Sequence, residues 1–252
     1  MAMTMTMPKA ILPDWLRRSA REELTITVGG RDLPLVVRRL AQARRMTLRL
    51  APDGSEVRVS IPRWGRTAEA LAFARSRADW LAGQLATVPV IAPPQPGGTL
   101  AYRGTVLRIH HDPAAPRRIS LTDGALLVGG PAETLPRRLH RWLDSEARLL
   151  IAADLAEYCA RAGQSLPRLS LANAKRRWGS CSGKGEIRIN WRLVMAPDPV
   201  RRSVVAHEVA HLVHFDHSPR FHALLAELFE GDVSAANRWL KREGRTLYAP
   251  FG

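Results

Sequence analysis

The sequence has few cysteines, little lysine and no hydrophobic run of the kind that spans a membrane. Only Cys159 and Cys181 occur among 252 residues, which excludes a disulfide-rich scaffold and favours a reducing compartment. The longest uncharged stretch, residues 80–102, contains four prolines and three glycines, so it is not a membrane helix. The first ten residues lack a basic end followed by an apolar core. We therefore expect no secretory signal, no membrane partner and a cytoplasmic location.

Acidic residues are outnumbered by basic ones, 23 against 38, which gives a formal net charge of +15. All but four of the basic residues are arginines. A field of this sign favours anionic partners such as nucleotides or nucleic acid. The excess is spread, because residues 1–90 carry 15 bases and 8 acids and residues 91–252 carry 23 and 15. We interpret the charge as a diffuse arginine-rich surface rather than a dedicated patch.

Turn residues and hydrophobic periodicity predict an α+β fold in two parts. Alternating segments joined by turn signals predict two hairpins and then a helix, over residues 24–39, 46–61 and 67–85. We predict a β-rich N-terminal region with a closing helix over residues 1–88 and a proline- and glycine-rich linker over 89–98. The second domain, residues 99–252, is predicted to contain a β segment, a long helix from Pro131 and C-terminal helices.

The chemistry of the sequence is concentrated in a His-Glu-x-x-His motif within an apolar helical segment. His207 and His211 are four residues apart, so both imidazoles lie on one face of a helix and can reach one ion. Imidazole nitrogen suits zinc, and a catalytic zinc site keeps one coordination position open for water. Glu208 follows the first histidine, where its carboxylate can accept a proton from that water.

A third ligand is needed, and the spacing leaves several candidates. His217 is favoured, because the six-residue gap after the second motif histidine lets the helix end and the chain turn back. His214 is a rival, but three ligands from one straight helix make a poor tetrahedron, so we interpret it as a surface or supporting residue. Glu227 and Glu230 are further candidates. Asp216 either orients a ligand imidazole or caps the next helix.

A second informative segment is a glycine-rich turn that leads into an alternating strand. Arg177 and Asn190 are predicted to bind substrate or to stabilise charge on a scissile carbonyl. Trp178 and Trp191 are interpreted as packing residues. A strand edge beside the metal would allow an extended peptide to pair with it.

Together these motifs resemble the YgjP-like zinc metallopeptidase family, with SprT-like and WLM-type proteases as more distant relatives. The similarity covers roughly residues 35–245, and the following segments carry it: Arg44–Arg49, Val57–Pro62, Ala78–Leu81, Arg177–Cys181, Asn190–Leu193, Ala196–Pro197, His207–Leu212 and His217–Phe221. The resemblance implies a zincin-like α+β core. It also implies one zinc ion per chain, held by His207, His211 and His217, with Glu208 as catalytic base.

Three functions are compatible with these residues. The first is a zinc metallopeptidase that cleaves a protein or peptide with a zinc-activated water and Glu208 as general base. The alternative is a metal-dependent nucleotide phosphohydrolase, a nucleoside triphosphate pyrophosphatase, to which the basic field would attract substrate. The second alternative is a DNA-associated protein with a structural metal, although structural zinc sites usually have four protein ligands. The sequence predicts no oligomeric state.

Overall fold

A computed structural model describes residues 24–88, 92–175 and 177–251 and shows a mixed α+β architecture, as predicted. Of the described residues, Leu24–Leu50 and Ser55–Leu85 form one compact unit, and Ala51–Gly54 group with the residues from Ala86 onward in a second. The domain boundaries inferred from the sequence stay a prediction, because residues 89–91 of the linker lie outside the described residues.

The first unit is a four-stranded sheet with two helices. Its elements are β1 (Thr25–Val28), β2 (Arg31–Leu40), β3 (Thr47–Leu50), β4 (Val57–Pro62), α1 (Thr67–Arg75) and α2 (Ala78–Ala86). The strand order is β1-β2-β4-β3, with β2 and β4 parallel and the two predicted hairpins antiparallel. Val57, Val59 and Ile61 alternate into the core, which explains why this strand is central. The single helix predicted over residues 67–85 is two helices, because Ser76 and Arg77 leave the α pattern.

The second unit begins with another four-stranded sheet and one long helix. Its strands are β5 (Thr99–Tyr102), β6 (Thr105–Asp112), β7 (Ile119–Thr122) and β8 (Ala125–Gly129), in the order β5-β6-β8-β7. β7 was not predicted, since it has only four residues and its side chains are at most half-buried. Helix α3 (Leu135–Arg161) follows and buries a stripe of leucines, an alanine and Ile151.

The remaining elements of the second unit surround the histidine motif. A three-stranded sheet consists of β9 (Leu169–Ala172), β10 (Gly179–Cys181) and β11 (Ile187–Asn190), in the order β10-β11-β9, so β10 is an edge strand. Three helices follow, α4 (Asp198–Val213), α5 (Pro219–Leu228) and α6 (Val233–Glu243). In the described ranges, no helix has the length and hydrophobicity that a membrane crossing requires.

Helix α4 is fixed against α3 by a buried ion pair. The Nε atom of Arg201 donates a hydrogen bond of 2.7 Å to Oδ2 of Asp154, and both side chains are at most 5% exposed. Arg201 also pairs with Asp198 at the start of α4. Because an unpaired buried charge is costly, this pair sets the position of the helix that carries the motif.

Candidate metal centre

Three imidazoles converge at the C-terminal end of α4. His207 and His211 lie one helical turn apart, and their ring centroids are 4.8 Å apart. The helix ends at Val213, and His214 has an extended backbone with φ −126° and ψ 105°. The chain then turns back, so that Nε2 of His217 lies 3.3 Å from Nε2 of His207. One ligand nitrogen from each of the three histidines lies within 4.8 Å of the others.

The donor set suits a divalent ion such as zinc. Two nitrogens that ligate one tetrahedral zinc at about 2.0–2.1 Å are about 3.3 Å apart, which matches the separation of His207 from His217. Burial, with the neighbouring histidines, lowers the pKa of His207 to about 4, so its ring is neutral near pH 7. Burial also lowers the pKa of His211. A neutral imidazole is the form that binds a metal. The residues present therefore fit the ion.

The backbone of His214 orients the second motif histidine. Nδ1 of His211 lies 3.1 Å from the carbonyl oxygen of His214, to which it donates as the protonated nitrogen. This hydrogen bond leaves Nε2 of His211 as the ligand atom and fixes the ring orientation. His214 thus supports the site through its main chain, at the position where α4 ends.

Phe221 is a supporting residue to which the sequence analysis gave no role. Its side chain is fully buried, and its ring centroid lies 5.0 Å from that of His207, 4.6 Å from His211 and 4.8 Å from His217. It therefore forms an apolar base under all three imidazoles. The helical spacing after Ser218, the N-cap of α5, predicts a buried position here, but only the fold shows which rings it contacts.

Glu208 lies on the same helix, and its side chain is almost fully buried, with the residue 5% exposed. Burial raises the pKa of Glu208 to about 7, although a hydrogen bond from the backbone N–H of Cys181 and the charge of Arg177 oppose the shift. A carboxyl with this pKa can both accept and release a proton at neutral pH. Strand β10 thus holds the carboxylate from one side.

Gly179 makes room for that carboxylate. A Cβ atom at this position would lie 2.7 Å from Cγ and 2.8 Å from Cδ of Glu208, closer than real side chains approach. A glycine is therefore required where β10 passes the helix. From the sequence this glycine is recognisable only as part of a motif, since its contact with Glu208 depends on the packing of two segments that are distant in the chain.

The cleft above the metal ligands has a volume of about 320 Å³. Besides the three histidines and Glu208 it is lined by Arg177, Gly179, Ser180, Cys181 and Phe215. Phe215 is 63% exposed and lies 6.1 Å from His211 between ring centroids, so it offers an apolar wall at the mouth. The structure thus brings Arg177 to the cleft together with the motif residues.

Four other residues that the sequence predicts near the site do not line the cleft and make structural contacts or lie at the surface instead. Asn190 is fully buried, and its amide donates to the carbonyl of Ala174 and to the Tyr248 hydroxyl, so the structure does not bring it into the cleft. Asp216 accepts a hydrogen bond from the backbone of Ser218, at the start of α5. Glu230 is ion-paired with Arg202 and Arg161, and Glu227 is exposed outside the histidine group.

Comparison with known proteins gives one match. The family model described as the YgjP-like metallopeptidase domain matches residues 44–243, most of the chain. No curated protein matches, and no solved structure matches. The match agrees with the α+β architecture, and it implies a metal ion, for which the His207, His211 and His217 group is available. The chain therefore belongs to the YgjP-like family and carries its metallopeptidase domain.

Proposed function

We propose that the protein is a zinc-dependent peptidase in which His207, His211 and His217 hold the ion and Glu208 is the general base. The observation that carries the proposal is the convergence of three imidazoles beside a buried carboxyl. The nitrogens lie within 4.8 Å of one another, and the pKa of Glu208 is raised to about 7. The group contains three residues of the described chain and no cysteine, which disfavours a closed structural site.

Bound zinc supplies Lewis acidity, which polarises a carbonyl and lowers the pKa of water. Glu208 takes a proton from the attacking water at its carboxylate and later gives that proton to the leaving amine. Burial raises the pKa of this carboxyl, which favours its acceptance of the proton from water. The backbone N–H of Cys181 holds the carboxylate in place, and the guanidinium of Arg177 adds positive charge next to it.

The edge of β10 is the proposed binding surface for an extended peptide. In the segment that contains β10, the carbonyl of Trp178 accepts a hydrogen bond from the N–H of Asn190, and the N–H of Ser182 donates to the carbonyl of Glu186. Alternate residues of the β10 segment therefore bond to the β11 segment. The main-chain N–H and C=O groups of Gly179 and Cys181, which alternate with the bonded residues, point away from β11, toward the free edge of β10. One of these groups, the N–H of Cys181, bonds to Glu208, which places the free edge next to the base. A substrate strand paired there would run across the cleft.

The test is the Glu208→Gln variant, which keeps the size of the side chain but removes the base. We expect it to retain stoichiometric zinc and to lose peptide hydrolysis by about 10³-fold. The measurements are metal analysis and turnover of a library of internally quenched peptides, with wild type alongside. A variant that cleaves as fast as wild type would refute the role of Glu208.

A second candidate function, nucleotide phosphohydrolysis, is favoured by one observation. Arg177 is exposed, lines the cleft and makes no ion pair with any residue in the described ranges. A guanidinium in this position suits a phosphate as well as a peptide carbonyl. Release of phosphate or pyrophosphate from nucleoside triphosphates, in wild type and in Glu208→Gln, separates the two functions.

A further inference from the structure

A second cavity adjoins the metal cleft on the other side of β10. It has a volume of about 210 Å³ and shares Arg177, Gly179 and Ser180 with the cleft. Its other lining residues are Ala172, Ala174, Trp178 and Arg188. The small side chains leave a space several times larger than the volume of a water molecule, which is about 30 Å³. Among the described residues that line this cavity, none carries a carboxylate.

Arg188 occupies the centre of a polar row on the exposed face of the three-stranded sheet. It is paired across the strands with Ser180 on one side and Ser170 on the other. The neighbours of Arg188 along β11, Ile187 and Ile189, are buried, so the arginine points away from the core. The row therefore presents a cation flanked by two hydroxyl groups.

In the described part of the chain, the two arginines of this cavity form no ion pair, although the charge of Arg177 also acts on Glu208. Several arginines elsewhere in the second unit are paired, for example Arg103 with Asp198 and Arg161 with Glu157. Arg168, near the same sheet, is 3.5 Å from Glu186. Arg177 and Arg188 form no such ion pair. Two unpaired guanidinium groups beside a cavity favour an anion, which a guanidinium can bind through two parallel hydrogen bonds.

We propose that this cavity, which we name the arginine subsite and define by Arg177, Ser180 and Arg188, binds an acidic side chain of the substrate peptide. The inference rests on the proposed peptidase function. A peptide paired with the edge of β10 directs alternate side chains to the two faces of the sheet. One set faces Glu208 and the metal ligands, and the other set faces Ser180 and Arg188. A glutamate or aspartate one or two residues from the scissile bond then reaches the arginine subsite.

Strand spacing supports the reach of this contact. Neighbouring strands are about 4.8 Å apart, so a peptide on the edge of β10 lies about 10 Å from β11. The side chains of Arg188 and of a substrate glutamate extend toward each other over this distance. Arg177, which lies two residues before the start of β10 and lines both cavities, contacts the same carboxylate from the end of the strand.

The experiment compares peptide pairs that differ only by glutamate against glutamine, placed in turn at the three positions on each side of the scissile bond. Wild type is expected to show a kcat/KM ratio of about 10 or more in favour of glutamate at one position. The Arg188→Glu variant is expected to bring this ratio to 1 or below. The matched control is Lys184→Glu, which makes the same charge change at an exposed position outside both cavities and should keep the wild-type ratio.

A binding measurement provides a readout without turnover. Fluorescence anisotropy measures the binding of a labelled peptide to zinc-loaded Glu208→Gln protein, and the glutamate peptide should bind more tightly than the matching glutamine peptide. In the double variant that also carries Arg188→Glu, the two peptides should bind equally. Two results would overturn the inference: equal kcat/KM for all pairs in wild type, or an equal loss of preference in Lys184→Glu and Arg188→Glu.

Failure of the peptidase function gives a different pattern. Zinc-loaded wild type would then cleave no peptide of the library. If it instead released phosphate from nucleoside triphosphates, and Arg188→Glu slowed that release, the arginine subsite would bind phosphate and the peptide assignment would be overturned. If peptides are cleaved without regard to charge, the peptidase function stands and only the subsite is refuted.

Discussion

Gly179 and Glu208 lie so close that no side chain fits between them, since a Cβ atom on the glycine would be 2.8 Å from the carboxyl carbon. One residue belongs to an edge strand and the other to the helix that carries two of the three histidines. The glycine therefore sets the position of the proposed base relative to the metal ligands. This contact couples the glycine-rich segment to the helical motif.

The Gly179→Ala variant tests this coupling. The added methyl group must displace the Glu208 carboxyl, and a displacement of about 1 Å can cost about 10²-fold in rate. We expect kcat to fall by about that factor and the melting temperature to fall modestly, because the site becomes overpacked, while zinc content stays close to wild type. The measurements are peptide turnover, metal analysis and a melting curve.

Gly183→Ala is the matched control for this substitution. Gly183 lies in the same segment, and a Cβ atom there meets no atom within 4 Å. Its activity should equal that of wild type within a factor of two or so. Equal activity of wild type and Gly179→Ala would show that the carboxyl is not confined by the strand.

The third ligand is tested by His217→Ala. This variant should lose stoichiometric zinc and activity together, because two imidazoles on one helix cannot hold the ion at the wild-type affinity. His214→Ala should keep both, since the contact of His214 with His211 is made by its carbonyl oxygen. The zinc content of both variants, measured by metal analysis after gel filtration, tests this assignment. Full zinc occupancy in His217→Ala would rule out this ligand assignment.

Phe221 is expected to influence metal affinity without touching the metal. Replacement with leucine keeps an apolar side chain but removes the ring that packs under the three imidazoles. We expect zinc to bind about 10-fold more weakly, as changes around ligands commonly cause. Leu228→Ala, a buried change two turns further along α5, should lower stability but not zinc affinity. Competition with a chelator measures the zinc affinity of both variants, and a melting curve measures their stability. Equal zinc affinity in Phe221→Leu and wild type would contradict the role of the ring.

The sequence predicts best those features whose signal is local. The turn residues between β3 and β4 predict the hairpin that the structure shows, and the position of Pro131 predicts the start of the helical stretch. The four-residue spacing of His207 and His211 places both on one face, as the ring contact confirms. Each of these inferences needs only a few neighbouring residues.

The remaining features depend on contacts between segments that are distant in the sequence. Asn190 has the chemistry of a substrate ligand, but β11 turns its amide toward Ala174 and Tyr248 in the core. The roles of Gly179 and Phe221 follow from distances to α4, which no local pattern encodes. The break at Ser76 was missed because the apolar spacing continues from α1 into α2.

The cluster of ion pairs around Arg202 predicts how stability depends on pH. Arg202 lies 2.8 Å from Glu157 and 2.6 Å from Glu230, which connects α4 to α3 and to the end of α5. Burial alone would raise the pKa of Glu230, but hydrogen bonds from Arg202, from the Glu230 backbone and from the Tyr158 hydroxyl, with the charge of Arg202, together outweigh burial and lower the pKa to about 2. Hydrogen bonding to Arg202 likewise lowers the pKa of Glu157, against the effect of burial.

A carboxyl with a lowered folded-state pKa stabilises the protein fully above its unfolded pKa, near 4.5, and loses this contribution as the pH falls toward 2. Because the Glu230 side chain is 47% exposed, we discount the shift for solvent screening and expect about 1 kcal/mol from it. Arg202→Met should therefore lower the free energy of unfolding at pH 7 more than at pH 2.5. Urea unfolding at the two pH values measures the difference, and an equal loss at both would show that Arg202 acts through packing rather than charge.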